Sequence, residues 1–233
     1  MSAKAAAVTS GERALGKSSP DLGIIERGGI VAVVRLDDLS RAAPLTEALV
    51  AGGVRAVEFT FTNPAAAGAI TAAREALGAR ALIGAGSVLD AETARIAILA
   101  GASYVVTPTV ALPVIACCQR YGVATIIGAM TPTEILTAWE GGATYVKLFP
   151  ASIGGPRYLR DVLAPLPQVK LIPTGGVDLS NVGDFIRAGA VAVALGSNLV
   201  DPRAVASGDW PAITARAQAL ADEIARARQP LLA

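Results

Sequence analysis

The chain has 233 residues, of which 53% are hydrophobic and 17% charged, and its formal net charge is +1. That balance fits a core-rich globular protein and gives no electrostatic case for binding nucleic acid or an anionic membrane. Histidine is absent, which removes the commonest general base and metal ligand, and the only cysteines, Cys117 and Cys118, are adjacent in an apolar helical stretch, where they supply neither a zinc ligand set nor a disulfide framework.

Proton transfer must then fall to a carboxylate, a lysine, a tyrosine or a water, with no metal and no cofactor expected. No apolar run reaches the roughly 18–20 residues that cross a bilayer, so no membrane partner is expected. Residues 1–19 are small and polar without an apolar h-region, and they read as a disordered N-terminal tail rather than a signal peptide. A cytoplasmic location is therefore expected, with residues 20–233 expected to form one domain.

A short helix is expected over residues 20–27. Short apolar, β-rich runs then follow at IVAVVR (30–35), VRAVEFT (54–60), RALIGA (80–85), SYVVT (103–107), VATIIG (123–128), TYVKLF (144–149), VKLIPT (169–174) and VAVALG (191–196). Their starts lie roughly 20–26 residues apart, close to the size of one strand-plus-helix unit. Ala-rich segments with helical periodicity, such as DAETARIAILAGA, lie between them. The joints repeat as well. Glycine-bearing triplets at 51–53, 100–102, 140–142 and 188–190 fit left-handed helix C-caps. Asp90, Thr131 and Asp178 sit at N-cap positions, with Pro132 in a first turn and Glu134 at capping-box spacing from Thr131. A last helix spans 208–228. Eight strands, apolar on both faces and alternating with eight helices, predict an α/β fold: a (β/α)8 TIM barrel whose short N-terminal helix covers the barrel bottom. A doubly wound sheet is the alternative, but no GxGxxG turn follows the first strand.

In such barrels chemistry collects at the C-terminal ends of the strands. Lys147 stands inside the apolar stretch TYVKLFP. An ammonium there is costly unless it is paired or gives up its proton, and a desolvated lysine is a good nucleophile toward a ketone. The bland alternative is a strand-end lysine that reaches solvent. Lys170, by contrast, begins the seventh run and belongs at the bottom rim. Glu58 is the other strand residue suited to acid–base work; its bland role is a structural partner of Arg35 or Lys147. Arg35 ends the first run and could clamp a carboxylate in bidentate fashion, or pair with Glu58. The GAGS segment (84–87) offers backbone donors and a hydroxyl to the same carboxylate. Thr107 and Pro108 end the fourth run. Phe149 is a pocket wall or plain core. Thr174-Gly175-Gly176 and Gly196-Ser197 follow the seventh and eighth runs, where barrels bind phosphate with backbone N–H groups and a helix N-terminus.

Taken in series, VAVVR (31–35), VEFTFTNP (57–64), IGAGSVLD (83–90), VTPTV (106–110), GAMTPTE (128–134), YVKLFPAS (145–152), GGPRYL (154–159), IPTGGV (172–177) and ALGSNLV (194–200) resemble the 2-keto-3-deoxy-6-phosphogluconate (KDPG) aldolase family. That family also takes in 2-keto-3-deoxy-6-phosphogalactonate aldolases and 4-hydroxy-2-oxoglutarate aldolases. The resemblance implies a class I aldolase, a carbon–carbon lyase of Entner–Doudoroff-type sugar acid catabolism, built as a homotrimer and acting on a small phosphorylated keto acid. It implies that Lys147 forms a Schiff base with the C2 ketone and that Glu58 is the acid/base, acting through a water. It further implies that Arg35, Gly86, Ser87 and Thr107 hold the substrate carboxylate, and that Pro108 and Phe149 wall the pocket. Thr174, Gly175, Gly176, Gly196 and Ser197 would hold the 6-phosphate. Two positions depart from the family pattern: Thr62 stands where some members carry an arginine, and Ser87 replaces a threonine. Two other readings remain. A sugar-phosphate epimerase or isomerase would use the phosphate site and the carboxylate but no amine on the sixth strand. An inactive assembly protein would lack a catalytic group.

Overall fold

Each β-rich run becomes a strand, in a computed structural model that describes residues 21–229. The tail expected over residues 1–19 lies outside the described residues. The strands are β1 (Ile30–Val34), β2 (Ala56–Thr60), β3 (Leu82–Gly86), β4 (Tyr104–Val106), β5 (Ala124–Ala129), β6 (Tyr145–Leu148), β7 (Leu171–Pro173) and β8 (Val193–Leu195). They pair in parallel in chain order, and β8 returns to β1. Between β7 and β8 the circle closes through one isolated parallel bridge, Thr174 with Ala194, and through the Val191 N–H, which donates to the Leu171 carbonyl at 3.1 Å. This thinnest seam of the barrel lies beneath the two glycine turns. Most strands are shorter than the runs that announce them. Thr107 and Phe149 still donate to the neighbouring strand, at 3.1 and 3.0 Å, and the chain then turns away.

Helices α1 (Gly23–Gly28), α2 (Ala42–Ala51), α3 (Ala66–Leu77), α4 (Ala91–Leu99), α5 (Leu112–Arg120) and α6 (Pro132–Glu140) come first. They are followed by α7 (Gly155–Leu163), α8 (Val182–Arg187), α9 (Pro202–Ser207) and α10 (Trp210–Ala227). Their ends follow the cap chemistry of the sequence. Gly53, Gly101, Gly142 and Gly189 have φ between 89° and 109°, which only glycine adopts without strain. The Asp90 side chain accepts from the Thr93 N–H, and Thr131 with Glu134 forms a reciprocal capping box.

Two expectations need correction. Asp178 caps no helix: its carboxylate accepts from Ser180 N–H and Oγ in a tight local turn, and α8 starts only at Val182. Such local side-chain bonds compete with capping. In addition, α9 precedes the last helix, started by Asp201-Pro202 and stopped by Gly208 at φ 73°.

The apolar side chains form two cores. One lies between the barrel and its helices, and the other fills the barrel interior. Helix α1 plugs the interior from below with Ile24 and Ile25. Its Glu26 accepts from the Tyr145 hydroxyl at 2.9 Å and from Lys170 Nζ at 2.8 Å, which puts Lys170 at the bottom rim as expected. Among the described residues no helix is long and apolar enough to cross a membrane.

Candidate active site

Side chains alternate along a strand, so every second residue enters the barrel. Val33, Ala56, Leu82, Val106, Ile126, Tyr145, Ile172 and Ala194 all belong to the interior core. Counting on by two from these positions, or by four from Leu82, reaches Arg35, Glu58, Gly86, Pro108, Gly128, Lys147, Thr174 and Gly196. These eight residues thus share one parity, and the strands aim them into the barrel or at its upper rim. Ser87 and Thr107 fall on the other parity. Ser87 is brought back by a left-handed backbone, with φ 56°, which sets its hydroxyl 3.5 Å from Arg35 Nη2. Thr107 is not brought back. Its hydroxyl donates to the Thr109 carbonyl at 2.6 Å and accepts from the Gly128 N–H at 3.1 Å. With that donor committed, Thr107 braces the rim and has no proton to offer a carboxylate.

Lys147 and Glu58 are 5% and 2% exposed, too deep for either charge to be well solvated. Burial lowers the pKa of Lys147 from its ordinary value, the positive charge of Arg35 adds to the effect, and Glu58 opposes it. Burial also pushes Glu58 up to about 7, against the pull of Lys147 and Arg35. The ammonium nitrogen lies 4.7 Å from the centre of the Phe149 ring. Arg35, Glu58 and Lys147 make no direct ion pair among the described residues. The bland pairing of Arg35 with Glu58 is therefore not formed, and Lys147 does not reach solvent. Each charge acts on the others through space, so each keeps its reactive atoms free.

Over Lys147 opens a cavity of 280 Å³, walled by Arg35, Phe149, the Thr174–Val177 turn and the Gly196–Asn198 turn. Gly175 and Gly176 have φ of 87° and 78°, which tips the backbone of this turn toward the cavity. Among the described residues, the N–H groups of Gly176, Ser197 and Asn198 have no hydrogen-bonded acceptor. Unpaired backbone N–H groups edging a cavity are the kind of donor that can face an anion. The Gly196 carbonyl accepts from the Leu199 and Val200 N–H groups, so a single helical turn follows β8 rather than the expected helix. Asn198 was not anticipated. Its amide donates to the Val177 carbonyl at 2.8 Å and ties the two turns together. The only hint was its place directly after Gly196-Ser197.

Two glycines make the space for these groups. A Cβ on Gly86 would stand 2.6 Å from Glu58 Oε1. One on Gly128, beside Lys147 in the sheet register, would stand 2.2 Å from the Pro108 carbonyl carbon and 2.6 Å from the Thr109 nitrogen. Backbone cannot move aside as a side chain can. Gly128→Ala should therefore cost about 2–3 kcal/mol or more, read as a lower urea midpoint at unchanged m-value.

The family model "Aldolase: KDPG and KHG aldolase" matches residues 23–216. The 2-dehydro-3-deoxy-phosphogluconate aldolase of Treponema pallidum is 39% identical over 83% of this chain and 92% of its own length. A solved structure described as native KDPGal superposes with a TM-score of 0.80 at 32% identity, over 86% of this chain and 96% of the other. The KDPG aldolase of Legionella pneumophila, captured with pyruvate as a covalent carbinolamine, gives a TM-score of 0.78 at 28% identity, over 84% and 96%.

Proposed function

This chain belongs to the KDPG and KHG aldolase family, and from that premise we propose that it cleaves a 2-keto-3-deoxy-6-phospho sugar acid to pyruvate and glyceraldehyde 3-phosphate. It is a class I aldolase, a carbon–carbon lyase. The observation that supports the assignment of roles is a buried amine of lowered pKa, set under a cavity edged by two glycine turns and within the field of a buried carboxylate.

In this reading Lys147 attacks the C2 ketone, and the carbinolamine loses water to give a protonated imine. The iminium draws electrons from the C3–C4 bond. Glu58, through a water, takes the proton of the C4 hydroxyl as that bond breaks. Glyceraldehyde 3-phosphate leaves, and an enamine of pyruvate stays on Lys147. Protonation at C3 and hydrolysis release pyruvate and the free amine. The iminium is the electron sink. Arg35, Gly86 and Ser87 hold the carboxylate of the keto acid, with Phe149 and Pro108 as walls. The Thr174–Gly176 and Gly196–Ser197 turns hold the 6-phosphate. An epimerase or isomerase would have no use for the amine on β6. Incubation with pyruvate and borohydride, followed by peptide mass mapping, tests the reading. A reduced adduct on Lys147 is expected; an unlabelled Lys147 in protein that turns over substrate would refute it.

The same reading carries a homotrimer. Seven large apolar side chains are exposed among the described residues, and five of them, Leu89, Ile96, Leu99, Leu112 and Tyr121, lie on or beside the neighbouring helices α4 and α5. Clustered apolar exposure of this kind marks an interface. Leu99→Glu is expected to bring the solution mass down to that of one chain by light scattering, and an unchanged oligomer would remove this face from the interface.

A further inference from the structure

One side chain inside the barrel has no role in the scheme above. Among the described residues, the Tyr104 hydroxyl is the only buried side-chain polar atom without a hydrogen-bond partner, and the residue is 0% exposed. A buried hydroxyl left unmade costs free energy, and phenylalanine would fill the same space without that cost. The position therefore asks what the oxygen is for.

Its surroundings point to Glu58. Tyr104 is in register with Gly84 on β3, and Gly84 is in register with Glu58 on β2. A Cβ on Gly84 would lie 2.4 Å from Tyr104 Cζ, so the far end of the ring rests on β3 after reaching across from β4. The bare Cα of Gly86, two residues on, receives the Glu58 carboxyl as it leans across from β2. Two glycines on one strand thus place the far end of the ring and the carboxyl over neighbouring inward positions of β3. The hydroxyl and the carboxyl stop short of direct hydrogen-bond contact, as catalytic groups often do without substrate. The other groups whose charge acts on Glu58 are Lys147 from β6 and Arg35 from β1. The next inward residue on its own strand, Thr60, has its hydroxyl engaged with Thr62 at 3.0 Å. Burial and the negative charge of Glu58 both hold the Tyr104 proton in place, so the hydroxyl can serve only as a donor toward that carboxylate.

We propose that Tyr104 is a positioning residue for Glu58: its hydroxyl donates to the ionised carboxylate, directly or through one water, and so sets its orientation and the pH at which it takes up a proton. The consequence for turnover rests on the aldolase reading above; the interaction itself does not. The test is Tyr104→Phe in the full chain, with the Glu58 carboxyl followed by carbon-13 NMR against pH and assigned by its loss in Glu58→Gln. Losing a donor to the charged form should raise the Glu58 midpoint by roughly half a pH unit or more. In turnover, the matching limb of the kcat/KM profile should move up with it, and kcat should fall about tenfold while KM stays within about twofold. Pyruvate trapping on Lys147 in the variant checks that the site is intact. An unmoved midpoint, in a variant that is only more stable, would overturn the proposal. A moved midpoint in a protein that cleaves no keto acid would keep the Tyr104–Glu58 interaction and refute the aldolase reading instead.

Discussion

Lys147→Met should lower kcat/KM by at least about four orders of magnitude and abolish borohydride trapping of pyruvate, while the protein stays folded. The size of the effect follows from the chemistry. No other lysine among the described residues lies near the cavity, since Lys170 is held by Glu26 at the opposite rim. Without an amine there is no imine, and without an imine the C3–C4 bond has no electron sink. Retained folding follows from burial: methionine matches the length of the lysine stem and removes an ammonium that burial disfavours. Lys147→Arg is the sharper control. It keeps a positive charge for Glu58 and for the substrate anion, yet a guanidinium stays protonated and forms no Schiff base. If the charge alone were what the site needs, the arginine variant would keep measurable cleavage. Mass mapping after borohydride and a coupled pyruvate assay on both variants separate the two roles.

Those two roles show what the amino-acid pattern could and could not disclose. The barrel was legible because strand and helix periods differ and because each joint carries its own cap chemistry, as at Asp90, Thr131 and Gly142. Lys147 and Glu58 were legible because a charge within an apolar run needs a reason, and the two-residue period then places both inside the barrel. What escaped were relations between strands. The commitment of the Thr107 hydroxyl to Thr109 and Gly128 depends on how β4 meets β5 at the rim. The unpartnered Tyr104 depends on two glycines of a neighbouring strand. Asp178 had the composition of an N-cap, but its own turn with Ser180 claimed its carboxylate first. The Asp201-Pro202 start and Gly208 stop of α9 are explicit in the sequence, but this helix is an addition to the one-helix-per-strand repeat.

Glu58→Gln is expected to separate bond cleavage from imine formation. Kcat should fall by about 10²–10⁴, the range for a lost general acid/base, while pyruvate still traps on Lys147. Glutamine keeps the shape that fits against Gly86 and loses only the proton chemistry. The same variant reports burial through its pH dependence. Glu58 has a folded-state pKa of about 7 against an ordinary 4.5, raised by burial. Below pH 4.5 the carboxyl is neutral in both folded and unfolded chains, and the group has no effect on stability. Between pH 4.5 and about 7 the unfolded chain releases a proton that the native protein still holds, so stability falls as pH rises. Above the folded pKa the loss is complete, at about 3 kcal/mol. Lys147 contributes in the opposite sense at higher pH, because its lowered pKa lets stability recover as the amine deprotonates on the way to its ordinary value. Glutamine never ionises, so urea unfolding should show the variant gaining on the parent from pH 4.5 to 7 and holding that lead to pH 8. A constant gap across the range would mean that the carboxyl is solvated in the native protein. It would then lack the raised pKa that the proposed role, taking the C4 hydroxyl proton and returning a proton near neutral pH, calls for.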